Sequence, residues 1–216
     1  RNAAPAATAA PARSASNVSP RPSRNAVSTN QIATTRRAMQ RPGATTARAG
    51  LTTTDTVNTP LLKKLLRKGN VRTGGGVRSV KRARELISLG AEKVIIGSAA
   101  WKKDIVPGES VMNTEFLDEL VAAIGKQRII ISVDAINGKI AVKGWTETID
   151  VPLVDGAKQA EQYCSELLFT CVEKEGCMQG TNMQMAQDLR NAVKCRVVVA
   201  GGVSSEDEVE QLEKMG

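Results

Sequence analysis

Residues 71–90, VRTGGGVRSVKRARELISLG, align without gaps on residues 197–216, VVVAGGVSSEDEVEQLEKMG. Seven of the twenty positions are identical: Val71/Val197, Gly75/Gly201, Gly76/Gly202, Val77/Val203, Ser79/Ser205, Leu86/Leu212 and Gly90/Gly216. Each copy reads as a strand ending in paired glycines, a serine able to cap the next helix, and that helix. In the second copy Ser205 and Glu208 have capping-box spacing. A βα unit repeated 126 positions later points to a fold built twice over. It leads us to expect a strand like Lys93–Gly97 after Gly216 and one like Arg128–Asp134 before residue 59. Neither lies within the chain, which therefore reads as incomplete at both ends of its fold.

Between the two copies the same beat continues. Short β-branched runs predict strands at Val71–Gly74, Lys93–Gly97, Arg128–Asp134, Leu167–Thr170 and Arg196–Ala200. Amphipathic stretches predict helices at Ser79–Leu89, Thr114–Ile124, Asp155–Cys164, Asn182–Ala192 and Ser205–Met215. Leu61, Leu62, Leu65 and Leu66 add a helical spacing ahead of them. Strands alternating with helices make an α/β protein with a parallel sheet. Ile140–Lys143 reads as part of an extra hairpin turned by Asn137-Gly138. Aromatic residues are only 2% of the chain, so the core must come from Val, Ile, Leu and Ala.

The formal charge of +8 is confined to one end. Residues 1–54 hold eight arginines and no acid, while residues 55–216 balance 22 basic against 22 acidic side chains. That leader has no aromatic residue for base stacking, so no nucleic-acid partner is expected. Its Ala, Thr, Ser, Arg and Pro texture predicts disorder over residues 1–58, as a transit peptide or as a non-native segment. The remaining domain is residues 59–216. Apolar runs of four or five residues fall far short of the ~20 that a membrane span needs. With no histidine, a Ser-His-Asp triad and a His-zinc site are excluded. Cys164, Cys171, Cys177 and Cys195 lack C-x-x-C pairing and are expected as buried, reduced thiols in cytoplasm or organelle stroma.

Chemistry concentrates where strands end. Gly74-Gly75-Gly76, Gly97-Ser98 and Gly201-Gly202 stand at strand–helix junctions, where glycine lets backbone N–H groups approach an anion. Two such turns related by the repeat suit a substrate phosphorylated at both ends; tight turns without a ligand are the alternative. Asp134 ends the apolar strand IIISVD, at the mouth of the sheet, as an acid–base group or as a turn cap. Burial there is expected to raise its pKa. Thr170, with Glu173 and Glu175, leaves a buried strand into a glycine-containing loop and suits a sugar hydroxyl. Trp145, in KGWTE, reads as a lid over a ligand ring or as core packing.

In their order, VRTGGGVRS, EKVIIGSAA, IIISVDAINGKIAVKGW, LLFTCVEKEGCMQGT and VVVAGGVSS resemble the histidine-biosynthesis isomerase family that acts on phosphoribosylformimino-aminoimidazole-carboxamide ribotide. The resemblance covers about residues 59–216 and implies a (β/α)8 TIM barrel, here strands three to seven. It implies an Amadori rearrangement of a bis-phosphorylated ribosyl aminal to its ribulosyl ketose, without metal or organic cofactor, by a monomer. Matched by motif, Asp134 takes the place of the proton-donor aspartate and Thr170 that of the threonine on the sixth strand. Trp145 corresponds to a loop tryptophan stacking on substrate. Gly75, Gly76, Arg78, Gly97 and Ser98 correspond to one phosphate site, and Gly201, Gly202 and Ser204 to the other. Where the family usually carries aspartate after the threonine and before the loop glycine, this chain has Cys171 and Glu175.

The family's other catalytic aspartate lies on its first strand, and the first acid here, Asp55, sits in a Thr-rich stretch. These 216 residues by themselves are therefore expected to lack isomerase activity, although their parent is an isomerase. The sister cyclase, which shares the barrel and glycine turns, and a non-catalytic phosphate-binding fragment stay open. GKIAVKGW resembles the isomerase and not the cyclase.

Overall fold

Val94, Ile96, Ile129, Ile131, Leu167 and Phe169 are buried in one apolar cluster, and they alternate along three neighbouring strands. The computed structural model describes residues 59–66, 71–102 and 104–215; the expected leader, residues 1–58, lies outside them. The elements run α1 (Thr59–Leu66), β1 (Arg72–Gly74), α2 (Val80–Ser88), β2 (Lys93–Ile96), α3 (Thr114–Ile124) and β3 (Ile129–Ser132). They continue with β4 (Ala135–Ile136), β5 (Lys139–Val142), β6 (Glu147–Pro152), α4 (Leu153–Ala160), β7 (Glu166–Thr170), α5 (Met183–Ala192), β8 (Arg196–Ala200) and α6 (Glu206–Lys214). Five strands form a parallel sheet in the order β1-β2-β3-β7-β8. β4, β5 and β6 form a separate antiparallel sheet.

The period of two divides the parallel sheet into two faces. Ile129, Ile131, Val133, Leu167 and Phe169 join Ala83, Leu86, Leu117, Leu120, Ala157 and Leu189 of the helices in the core. The intervening positions Ile130, Ser132, Glu166, Leu168 and Thr170 are buried on the other face. That inner face carries the polar groups. At its foot Glu166, 4% exposed, binds Arg72 at 2.8 Å and Lys93 at 2.7 Å.

The two aligned copies share their local geometry. Gly75 and Gly76 have φ of +98° and +70°, and Gly201 and Gly202 have +84° and +76°. Ser79 accepts from the Arg82 amide and Ser205 from the Glu208 amide, so both serines cap their helices. At Gly74 no β-carbon fits, because it would stand 2.6 Å from Cβ of Ile95 on the adjacent strand.

Element types agree with the sequence reading, and several limits differ. The third strand stops at Ser132, because Val133 pairs onward to Leu168 while Asp134 turns away into β4. α4 begins at Leu153 instead of Asp155 and ends at Ala160 instead of Cys164. The hairpin turns at Asn137 and Gly138, with φ of +49° and +75°, the pattern of a type I′ turn. It also gains a third strand, β6, which the sequence did not announce. Of the four cysteines expected inside, Cys164 and Cys171 are buried, Cys195 is intermediate and Cys177 is exposed.

Candidate functional site

Because the five strands are parallel, their C-terminal ends gather on one rim. That rim carries the turn 74–76 after β1, Gly97-Ser98 after β2, Asp134 after β3, Thr170 at the end of β7 and Gly201-Gly202 after β8. β3 is the central strand. Asp134 therefore stands between the two glycine turns, one at each side of the sheet.

Asp134 is 7% exposed and both of its carboxyl oxygens accept hydrogen bonds. Ser132 Oγ donates to Oδ1 at 2.8 Å, and Trp145 Nε1 donates to Oδ2 at 2.7 Å. Ser132 precedes Asp134 by two positions and shares its face of the strand path. Trp145 reaches the carboxylate from the β5–β6 turn, where its own φ is +73°. The same turn is fixed to the rim by the Lys143 amide, which donates to Ser98 Oγ at 2.7 Å. The hydroxyl of Ser98 is thus already engaged by the backbone.

Thr170 is 1% exposed and its Oγ1 is buried without a hydrogen-bond partner. An orphaned buried hydroxyl costs about 1–3 kcal/mol. A ligand hydroxyl would satisfy it. Cys171, next along, pairs with Ala135 as an isolated parallel bridge and ties the β7 end to the Asp134 strand. Burial, and then the neighbouring Glu173 carboxylate, push the Cys171 thiol above its ordinary pKa.

The two glycine turns differ in what surrounds them. Consecutive left-handed residues aim successive N–H groups into one concavity suited to an anion. Around Gly75 and Gly97 there is open space, and Arg78 is exposed beside the first turn. Around the second turn the chain folds back on itself. A β-carbon at Gly202 would stand 2.7 Å from the Gly180 carbonyl, and one at Gly201 would collide with the Glu175 carboxylate. Glu208 accepts from the Ser204 amide at 2.7 Å, from Ser204 Oγ at 3.0 Å and from the Thr181 amide at 3.0 Å. These bonds, the Ser204 amide foremost, hold the Glu208 carboxyl below its ordinary value. The second cradle is lined by the protein's own carboxylates.

Glu173 points away from that cradle. It accepts from the Asn137 amide and from the Cys171 thiol, linking the loop after β7 to the hairpin turn. Burial pulls its carboxyl upward, but the Asn137 amide and the other donors outweigh this and hold it below the ordinary value.

The histidine biosynthesis protein family matches residues 49–216 of the chain. The chain belongs to that family. It is a TIM-barrel family, and the five parallel strands are consecutive in sheet order, as neighbouring barrel strands are. The chain is similar to proteins named 1-(5-phosphoribosyl)-5-((5-phosphoribosylamino)methylideneamino)imidazole-4-carboxamide isomerase. That of Methanocaldococcus jannaschii is 30% identical over 161 residues, covering 74% of this chain and 64% of its own. That of Methanosarcina barkeri is 36% identical over 165 residues, covering 74% and 63%. That of Bacillus cytotoxicus is 36% identical over 147 residues, covering 68% and 57%. The chain thus spans about three-fifths of the length of these curated relatives.

Within this family member, the structure brings Asp134, Thr170, Trp145 and both glycine turns to one rim. Ser132 escaped the sequence reading, and Glu208 was read only as the capping-box partner of Ser205. The alternation of IIISVD signals Ser132, which lies on the Asp134 face. The capping box signals Glu208 but directs it to the wrong donor: its carboxylate takes the Ser204 amide, one residue ahead of the cap. Among the described residues no group of three Cys, Asp or Glu side chains is arranged to hold a metal ion.

Proposed function

We propose that the full-length protein is an aldose–ketose isomerase of the Amadori type. Its substrate is the bis-phosphorylated ribosyl aminal named for the relatives, and its product is the isomeric ribulosyl ketose. One observation carries this reading: a buried carboxyl group, Asp134, stands just past the end of the central strand, between two left-handed glycine turns.

A substrate with phosphates at both ends would lie across the rim, its ribose over Asp134 and Thr170. Gly75, Gly76, Arg78, Gly97 and Ser98 would receive one phosphate. Gly201, Gly202 and Ser204 would receive the other, once the Glu175 and Glu208 carboxylates that line this turn give way to it. Asp134, in its protonated form, gives its proton to the ring oxygen as the furanose opens and is left as the carboxylate that Ser132 and Trp145 hold. Thr170 Oγ1 gives its unused hydrogen bond to a sugar hydroxyl. A second carboxylate, which the family carries on its first strand, removes the C2 proton. Among the described residues Asp134 is the one aspartate buried at this rim, and Glu166, the other buried acid, lies at the opposite end. Trp145 orients Asp134 through its indole N–H and closes over the sugar from the hairpin turn.

No described helix is long and apolar enough to cross a membrane. Four free cysteines accord with a reducing compartment, cytoplasm or plastid stroma. The parent protein is read as a monomer, as the family resemblance implies.

The test is the reaction itself. The full-length protein, given the bis-phosphorylated aminal alone, converts it to a ketose of unchanged mass, separable by anion-exchange chromatography. No conversion, or an imidazole product formed only with added ammonia, overturns the assignment.

A further inference from the structure

The end of the sheet opposite the candidate site holds two thiols that the isomerase reading does not use. Cys164 closes the segment after α4, and Cys195 immediately precedes β8. Glu166 and Arg196 are register partners in the parallel β7–β8 pair, so the two cysteines lead into neighbouring strands side by side. Glu161 fastens the segment after α4 to the start of β8. Its Oε2 accepts from the Lys194 amide at 2.8 Å and from the Cys195 amide at 3.4 Å. Both side chains line one cleft, and Cys195 packs against the apolar cluster that holds Cys164.

Their exposures differ in a useful way. Cys164 is fully buried in the apolar cluster, with Sγ 3.3 Å from the Ala160 carbonyl. Cys195 is half-buried and opens on a cleft of about 480 Å3 whose walls include Lys126, Glu161 and Lys194. The Cys164 thiol beside it holds the Cys195 thiol below its ordinary pKa, and Lys126 adds to the lowering, against the opposing effects of burial and of the Glu161 carboxylate. Cys164 is shifted the other way, by the neighbouring Cys195 and then by burial. One thiol is thus half-buried and open to the cleft, and the other is sheltered in the core beside it. That is the arrangement of an attacking and a resolving cysteine.

We propose that Cys195 and Cys164 form a redox-active pair that reacts with a small acidic disulfide in this cleft and closes to an intramolecular disulfide. The Cys195 thiolate attacks one sulfur of the incoming disulfide, forming a mixed disulfide and releasing the first thiolate. Cys164 then attacks the Cys195 sulfur, its proton leaving with the second departing thiol. The protein pair is oxidised by two electrons, and the small disulfide is reduced to two thiols. The ammonium groups of Lys126 and Lys194 favour a disulfide bearing carboxylates. The closed bond ties the start of β7 to that of β8, at the end of the sheet opposite the sugar site.

Glutathione disulfide is the probe. A Cys177→Ser chain, which removes the exposed competing thiol, is incubated with it under native conditions and followed by intact-mass and non-reducing peptide mapping. The expected product is lighter by two hydrogens, with the Cys164 and Cys195 peptides linked, and it unfolds at a higher urea concentration than the reduced chain. Adding Cys164→Ala stops the reaction at a glutathione adduct on Cys195. Adding Cys195→Ser leaves the chain reduced. A stable adduct on Cys195 in the Cys177→Ser chain itself, a link through Cys171, or no reaction at any thiol overturns the proposal.

Discussion

The indole N–H of Trp145 donates to Oδ2 of Asp134 at 2.7 Å, while Ser132 Oγ holds Oδ1 at 2.8 Å. The carboxylate is therefore aimed by two donors from different elements, one on its own strand and one on the hairpin turn. Replacing Trp145 with Phe keeps an aromatic ring and removes only the donor. The expected cost is about 1 kcal/mol, as for an ordinary intramolecular hydrogen bond. Urea unfolding of the Trp145→Phe and Ser132→Ala variants measures it, and an unchanged midpoint in both would refute the aiming role.

Glu166 stabilises the foot of the inner face as one member of a buried ion cluster. Glu166→Gln leaves Lys93 without its counter-charge and Arg72 with only the more distant Glu92 carboxylate at 3.9 Å, and breaking such a buried pair costs about 3–5 kcal/mol. Replacing all three with apolar residues of similar size recovers most of that loss, because the desolvation penalty disappears with the charges. Denaturation of the single and triple variants decides this; equal destabilisation by both would contradict it.

Acid should loosen the rim loops before the core. Glu173 and Glu208 are both held below the ordinary carboxyl value of 4.5 by hydrogen bonds to their charged forms. Their contribution is present above that value and is lost as pH falls through the lower, folded-state values. Amide exchange in the segments around Asn137, Thr181 and Ser204 is expected to rise over that window, ahead of global unfolding. Glu173→Gln removes the pH dependence at Asn137 only.

The first glycine turn depends on backbone conformation more than on space. A β-carbon at Gly75 meets nothing within 4 Å, yet φ there is +98°, which L side chains rarely adopt. Gly75→Ala is therefore expected to destabilise by about 1 kcal/mol or more and to weaken phosphate binding at that turn. Gly97→Ala, also in open space but without positive φ, is expected to be milder. Inorganic phosphate titrations of the two variants give the comparison.

Much of this was legible in the residues because local signals and fold agree. The β8 strand and the α3 helix fall where periodicity places them, and Ser79, Asn182 and Ser205 cap the helices that follow them. The β6 strand was not legible: in ETIDVP only Val151 is buried, so an edge strand facing solvent leaves no apolar alternation to read. α4 starts behind Pro152 with no side-chain cap, which is why the acidic Asp155 looked like its beginning. The rim residues Asp134 and Thr170 could be read from strand ends. The carboxylates of Glu175 and Glu208 in the second cradle could not, because loop 171–180 reaches Gly202 through tertiary contact. The same holds for the Cys164–Cys195 contact, which joins positions with no motif between them.

Turnover by the full-length Asp134→Asn variant tests the central claim most directly, measured beside its affinity for the bis-phosphorylated substrate. Loss of a positioned proton donor predicts a fall in kcat of about 10²- to 10⁴-fold with affinity nearly unchanged. Turnover close to that of the unaltered protein would mean that Asp134 does not supply the proton.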